Sequence, residues 1–237
     1  MIPANVKMIR ERIARCCERI GRDAADVTLV AVAKTFPADA VREVVHAGIG
    51  DIGENYVQEL LQKRGALGDE GIRWHFIGHL QSNKARVLAP FAHLIHAVDS
   101  VGLARELDRR ARDSGRILDV LVEVNTTAEG SKFGVRPDNA EALVRSMHPF
   151  PNLRIAGLMT IGPFLPDPEG SRPMFRLLRV LRDSIAAVHQ DNVTMRHLSM
   201  GMTGDFEVAI EEGATIIRIG TAIFGSRVRP PRERNQA

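Results

Sequence analysis

Lys34 closes a short apolar run, VTLVAVA at 27–33, and is followed by Thr35-Phe36-Pro37. Side chains alternate faces along a strand, so Lys34 shares one face with Val30 and Val32. If that face looks inward, an apolar wall behind the ammonium disfavours its charged form and leaves a nucleophilic amine. A solvated lysine at a loop start is the alternative, because most lysines are exposed.

Two further groups lie near the other end of the chain. Ser199-Met200-Gly201-Met202-Thr203 and Arg218-Ile219-Gly220-Thr221 each end an apolar run in small, hydroxyl-bearing residues. Glycines there let backbone N–H groups approach an anion, and hydroxyls add donors; plain turn geometry and helix capping are the other explanation. Arg218 sits among Ile216, Ile217 and Ile219, an odd place for a permanent cation unless it faces an acceptor such as a pyridine-like nitrogen. A structural ion pair with Asp205 or Glu54 would also account for it.

What must position these groups is legible in the hydrophobic period. Apolar runs at 27–33, 50–53, 73–78, 93–98, 117–125, 153–161, 195–200 and 214–220 predict eight strands. Between and after them, 38–48, 54–65, 80–89, 100–113, 137–147, 171–190 and 204–212 read as helices, with AIFGSR starting a short last one. Runs such as VTLVAVA mark a parallel sheet buried on both faces, and eight βα units in this length predict a single (β/α)8 TIM barrel. An open doubly wound sheet is the weaker option, since the first strand is followed by no glycine-rich turn. Val6, Ile9, Ile13 and Ile20 give the leading stretch 3–20 one apolar stripe, hence an extra helix packed on the barrel. The barrel is expected to span 1–228, with 229–237 as a frayed polar tail.

Closure would put strand 8 beside strand 1, bringing Lys34 next to the loops after strands 7 and 8, the recurrent phosphate site of such barrels. An amine, an anion cup and an arginine for a ring nitrogen together match what pyridoxal 5'-phosphate (PLP) needs. Lys84 and Lys132 compete for the amine role, but both lie away from that cup. His75 and His79 are four apart, but 73–78 reads as strand and turn rather than helix, so no metal is expected.

Composition narrows the partners. Lys plus Arg total 32 against 29 Asp plus Glu, and one Trp, one Tyr and nine Phe leave little to stack on bases, so nucleic acid is not expected. No apolar run approaches a membrane span and the start lacks a signal-like apolar region, so a soluble cytoplasmic chain is expected. Adjacent Cys16 and Cys17 cannot frame a disulfide scaffold and read as ordinary thiols.

The segments AVAKTFP at 31–37, GENYVQE at 53–59, WHFIGHLQSNK at 74–84, VEVNTTAEGSKFGV at 122–135, GLMTIGP at 157–163, LSMGMTGDFEVAI at 198–210 and TIIRIGTAIFG at 215–225 resemble the YggS/PROSC-type PLP homeostasis proteins. Those are related to the N-terminal barrel of alanine racemase, PLP fold type III, and the resemblance covers nearly the whole chain. It implies that Lys34 forms a Schiff base with PLP, that Ser199, Gly201, Thr203, Gly220 and Thr221 hold the phosphate, and that Arg218 faces the pyridine nitrogen. Asn55 and His79 match positions lining the pocket. Thr203-Gly204 departs from the family, which more often shows Ser and a larger residue there.

The resemblance further implies a carrier that buffers and delivers PLP to apoenzymes with little or no turnover, expected as a monomer. An amino-acid racemase needs a second acid/base group, typically a tyrosine from a second β-rich domain, and Tyr56 is the only tyrosine. Packing in the first turn of its helix is the expected role of Tyr56. An arginine at the ring nitrogen also weakens the cofactor as an electron sink. A Schiff-base aldolase acting on a sugar phosphate is the remoter alternative.

Overall fold

In the computed structural model, residues 1–68, 71–127, 133–163, 165–187 and 191–225 are described; Lys132 and the expected tail 229–237 lie outside them. Eight parallel strands close into a barrel in chain order: β1 (Thr28–Val32), β2 (Asp51–Glu54), β3 (Arg73–Phe76), β4 (Leu94–Val98), β5 (Leu118–Glu123), β6 (Leu153–Met159), β7 (Val193–Ser199) and β8 (Ile216–Ile219). All eight expected strands are present, most of them trimmed by a residue or more at the ends. The seam closes with Val30 opposite Arg218 and Ala31 opposite Ile219.

Alternation along the strands sorts side chains into two cores. Val30, Leu94, Ala97, Leu121, Ala156, Met159 and Ile216 fill the barrel, while Ala31, Ile52, Phe76, Val120 and Ile217 face the helical layer. That layer comprises α1 (Ile2–Arg19), α2 (Ala38–His46), α3 (Val57–Leu67), α4 (Ala85–Leu88), α5 (Val101–Asp113), α6 (Pro137–Met147), α7 (Arg172–Ala186), α8 (Phe206–Glu211) and α9 (Thr221–Phe224). No helix among the described residues is long and apolar enough to cross a membrane.

Two helices differ from the sequence expectation in ways that matter for the site. α3 starts at Val57 rather than residue 54, because Glu54 is the last residue of β2 and Tyr56 caps the helix. The expected helix 80–89 is a 3-10 turn, Ser82–Lys84, followed by the single turn α4, so Lys84 lies on an exposed turn. The polar stretch Gln81-Ser82-Asn83-Lys84 has no apolar stripe to pack, and Pro90 prevents continuation.

α1 carries its buried stripe, Ile2, Val6, Ile9, Ile13, Cys16 and Cys17, against α2, α8 and α9. Pro3 sits in its first turn, where a missing N–H costs no hydrogen bond. Asn5 Nδ2 donates to the Ile223 carbonyl, and Arg12 and Arg19 pair with Glu207 and Glu211.

Candidate functional site

A cavity of about 270 Å³ opens at the carboxyl ends of β1, β2, β7 and β8, where barrel active sites gather. Lys34, Asn55, Thr203, Gly204, Asp205, Arg218, Gly220 and Thr221 give it polar groups; Val32, Phe36, Ile77 and Ile161 are among its apolar walls. Lys34 therefore follows the inward face of Val30 and Val32, as its spacing predicts, and is half-buried.

The backbone that carries Lys34 is under tension. Thr35 has φ +69°, a left-handed conformation that a β-branched residue adopts only when its surroundings enforce it. The enforcement comes from α3. The Thr35 N–H donates to Glu59 Oε2 at 2.8 Å, and Lys63, one helical turn on, donates to Glu59 at 3.2 Å, to Glu54 at 2.5 Å and to the Ala33 carbonyl at 2.7 Å. Lys63 and Glu54 are buried; Lys63 donates to three acceptors, whereas Glu54 Oε2 has no partner, and burial raises the Glu54 carboxyl to about 7 against the pull of Lys63. Phe36 then stacks on Phe224 of α9 with ring centroids 4.7 Å apart, fastening the loop across the seam.

Opposite Lys34 the wall is built mostly of turns. The Met202 N–H donates to Asp205 Oδ1 at 2.7 Å, and Ser171 donates its hydroxyl to Asp205 Oδ2 at 3.0 Å, so Asp205 braces the turn. The Ala222 N–H donates to Thr203 Oγ1 at 3.4 Å, tying the turn after β7 to the start of α9. Gly201 has φ +92°, and a Cβ there would lie 2.5 Å from the Ala209 methyl, so only glycine lets α8 close on the end of β7. Gly201 is thus packed beneath the turn rather than exposed on the cavity wall, unlike Thr203 and Gly204.

Arg218 forms part of the cavity floor. It donates to Ser199 Oγ at 2.6 Å and to the Thr160 carbonyl at 2.8 Å. Neither carboxylate considered from sequence is its hydrogen-bond partner: Glu54 is turned outward to Lys63, and Asp205 to Ser171 and Met202. Burial pushes the guanidinium down to about 10, against the pull of Glu123 and Asp205, and it stays cationic at neutral pH. Glu123 is buried, and burial raises its carboxyl to about 7, with Asp99 adding to the rise and Arg218 opposing it.

Ser199, expected at the phosphate, is fully buried behind Arg218 and bonded to Arg218 and His96, so its hydroxyl belongs to the barrel interior. His79, expected in the pocket, is exposed at the rim, where it stacks on Phe133 with centroids 3.9 Å apart. Tyr56 is exposed and forms no part of the cavity wall. Asn55 does line the cavity, and its buried Oδ1 has no partner. Gly78 fixes it there: any Cβ at 78 would meet the Asn55 carbonyl oxygen at 2.2 Å.

His75 and His79 do not come together. His75 bonds Asp51 and His96 inside the barrel, and Asp51, His75 and His93 bring one potential ligand atom each within 4.8 Å of one another. Arg73 grips both Asp51 oxygens, at 2.7 and 2.5 Å, placing a cation where a metal ion would have to compete.

The residues sequence reasoning passed over are Glu59, Lys63, His96 and Glu123, and Glu54 was considered only as a partner of Arg218. Glu59 and Lys63 carry a signal in their i, i+4 spacing on one helix face. His96 interrupts the apolar strand Leu94–Val98, a polar residue in an apolar run like Arg218.

Known proteins share this fold. A family model for the alanine racemase N-terminal domain matches residues 5–228. A pyridoxal phosphate homeostasis protein of Aquifex aeolicus is 48% identical over 219 residues, covering 92% of this chain and 95% of that one. The structure of PipY from Synechococcus elongatus PCC7942 with PLP bound matches with a TM-score of 0.79 at 34% identity, over 90% of this chain and 100% of PipY. Alanine racemase of Clostridium difficile 630 shares the fold, with a TM-score of 0.68 at 15% identity over 95% of this chain and 58% of that one. A chain with this barrel, this seam and these relatives belongs to the alanine racemase N-terminal domain family, on the branch of the pyridoxal phosphate homeostasis proteins.

Proposed function

We propose that the chain binds PLP reversibly through Lys34 and serves to buffer and deliver the cofactor, with little or no turnover of its own. The carrying observation is the convergence of Lys34, Arg218 and the two turns 203–205 and 220–221 on one cavity. The fit is supported from within the site. Asn55 lines the cavity and its buried Oδ1 has no partner, and a Cβ at Gly204 would meet nothing within 4 Å.

Bound there, PLP supplies an aldehyde that a primary amine can capture as a Schiff base. Lys34 is the amine, held on a strained loop that limits where its stem can start. Thr203, Gly204, Gly220 and Thr221 present hydroxyl and backbone donors to a phosphate, and Val32 and Ile77 exclude water from the ring. Arg218 can donate a hydrogen bond but cannot accept one, so a ring nitrogen facing it is held unprotonated. That weakens the pull on electrons which amino-acid chemistry at Cα requires. No tyrosine lines the cavity among the described residues, which leaves Lys34 without an opposed phenol for two-faced proton transfer.

PLP-dependent apoenzymes are the recipients we infer, in a cytoplasm where the buried free thiols Cys16 and Cys17 stay reduced. Borohydride reduction of the PLP-loaded protein followed by peptide mapping tests the binding claim: the reduced adduct is expected on Lys34. An adduct on Lys84 or Lys132, or a protein that never turns yellow, would overturn it. Deuterium wash-in at Cα of alanine is expected to be negligible, and rapid exchange abolished by Tyr56→Phe would replace the carrier by a racemase.

A further inference from the structure

Behind Arg218 a line of side chains crosses the barrel interior. Ser199 Oγ lies 2.9 Å from His96 Nδ1, His96 Nε2 lies 3.0 Å from His75 Nδ1, and His75 Nε2 lies 2.9 Å from Asp51 Oδ1. Ser199 and His96 are fully buried and His75 nearly so. The line joins β8, β7, β4, β3 and β2, and it ends at the amino-terminal mouth, where Arg73 holds Asp51.

With His75 and His96 both neutral and Asp51 ionised, its direction follows from what each group is able to do. A guanidinium only donates, so Ser199 Oγ accepts from Arg218 and turns its own hydrogen to His96 Nδ1. His96, kept neutral chiefly by burial, must then carry its hydrogen on Nε2 and donate to His75 Nδ1. His75 in turn carries its hydrogen on Nε2 and donates to Asp51, whose carboxylate only accepts. Worked from the Asp51 end, the same tautomers result. Every bond therefore points from the buried cation to the buried anion, an alignment in which each bond polarises the next.

We propose that Asp51, His75, His96 and Ser199 are positioning residues that hold the Arg218 guanidinium in one orientation toward the ring of the bound cofactor. The proposal rests on the PLP reading above. Among the described residues Arg218 is anchored by Ser199 and the Thr160 carbonyl, on different terminal nitrogens, so loss of the Ser199 anchor leaves the fork hinged on one contact.

Nitrogen-15 spectra of the imidazoles in the ligand-free protein come first: His75 and His96 are expected as neutral Nε2–H tautomers. An Nδ1–H tautomer at His96, or a cationic His75, would overturn the column. Ser199→Ala and Asp51→Asn are then compared with wild type for PLP affinity and visible absorption, with Ser199→Thr as the conservative rescue. Ser199→Ala is expected to weaken PLP binding about tenfold, the scale of one hydrogen bond to a charged group, and to shift the absorption maximum. Ser199→Thr is expected to retain both. Unchanged affinity and spectrum in Ser199→Ala would show that the column is structural only. If wild type shows the expected tautomers yet forms no PLP adduct at all, the cofactor reading fails and with it the positioning role, while the column itself stands.

Discussion

On the β1 side of the seam, Lys34 is held through side chains: Glu59 clamps the Thr35 amide, Lys63 binds Glu54, Glu59 and the Ala33 carbonyl, and Phe36 stacks on Phe224. On the β7–β8 side, the wall of the cavity is made of turns whose small residues expose backbone and hydroxyl groups. The difference follows from what each side must present. An amine that forms and breaks a bond needs its stem placed to a fraction of an ångström, whereas an anion can be met by any converging set of donors. Side chains on the first side are therefore expected to be costly to change, and those on the second to act in small increments.

The largest effect should come from Lys34→Ala, which removes the covalent hold altogether. Borohydride-stable PLP and the yellow colour should vanish, while weak phosphate-dependent affinity persists from the turns at 203–205 and 220–221. Full retention of colour would show that the two sides do not divide the work this way.

Next, Lys63→Met removes the cation from the buried Glu54 carboxyl, which burial already raises to about 7, and should cost roughly 3–5 kcal/mol in denaturant unfolding above that pH, the usual range for breaking a buried pair from one side. Adding Glu54→Gln should recover much of the loss. A cost near that of a surface pair would mean that the clamp contributes little.

Glu123, buried at the end of β5, sharpens the contrast. Its carboxyl is raised from 4.5 to about 7 in the folded protein, so the protonated form is favoured on folding. That stability is fully present below pH 4.5 and is lost as pH rises through about 7. Wild type should therefore lose on the order of 3 kcal/mol across that window from this group, which Glu123→Gln should retain. Parallel pH–stability curves for the two proteins would remove Glu123 from the account.

The smallest expected effect is at Thr35. Thr35→Gly relieves the left-handed strain and should stabilise the fold by ~1 kcal/mol, the low end of the usual strain cost, while PLP affinity falls a few-fold as Lys34 loses its fixed starting point. Greater stability with undiminished affinity would separate the strain from binding.

The barrel was legible because its strands are near-continuous apolar runs, and Lys34 and Arg218 stood out as charges ending or interrupting them. Closure of β1 on β8 then placed the two together, a step that depends on strand count alone. The Ser199 hydroxyl bonds His96 and Arg218 inside the barrel, which its sequence could not reveal, because residue type marks a hydroxyl but not which side of the strand end it falls on. β7 ends at Ser199 itself, and the cavity-lining turn begins only at Met202. The histidine column was hidden for another reason: its contacts span 21 and 103 residues of sequence, and no local pattern encodes them. The brace on Lys34 was half visible, since Glu59 and Lys63 share a helix face but their target, the strained Thr35, lies in another element.

The leading helix has a consequence for how the chain is made. Its Arg12, Arg19 and Asn5 reach Glu207, Glu211 and Ile223, partners about 190 to 220 residues downstream. During synthesis this helix therefore leaves the ribosome with much of its greasy stripe unmatched, and must wait until α8 and α9 have emerged. This early segment therefore docks late, and it acts as the clasp that joins the start of the cylinder to its closing units.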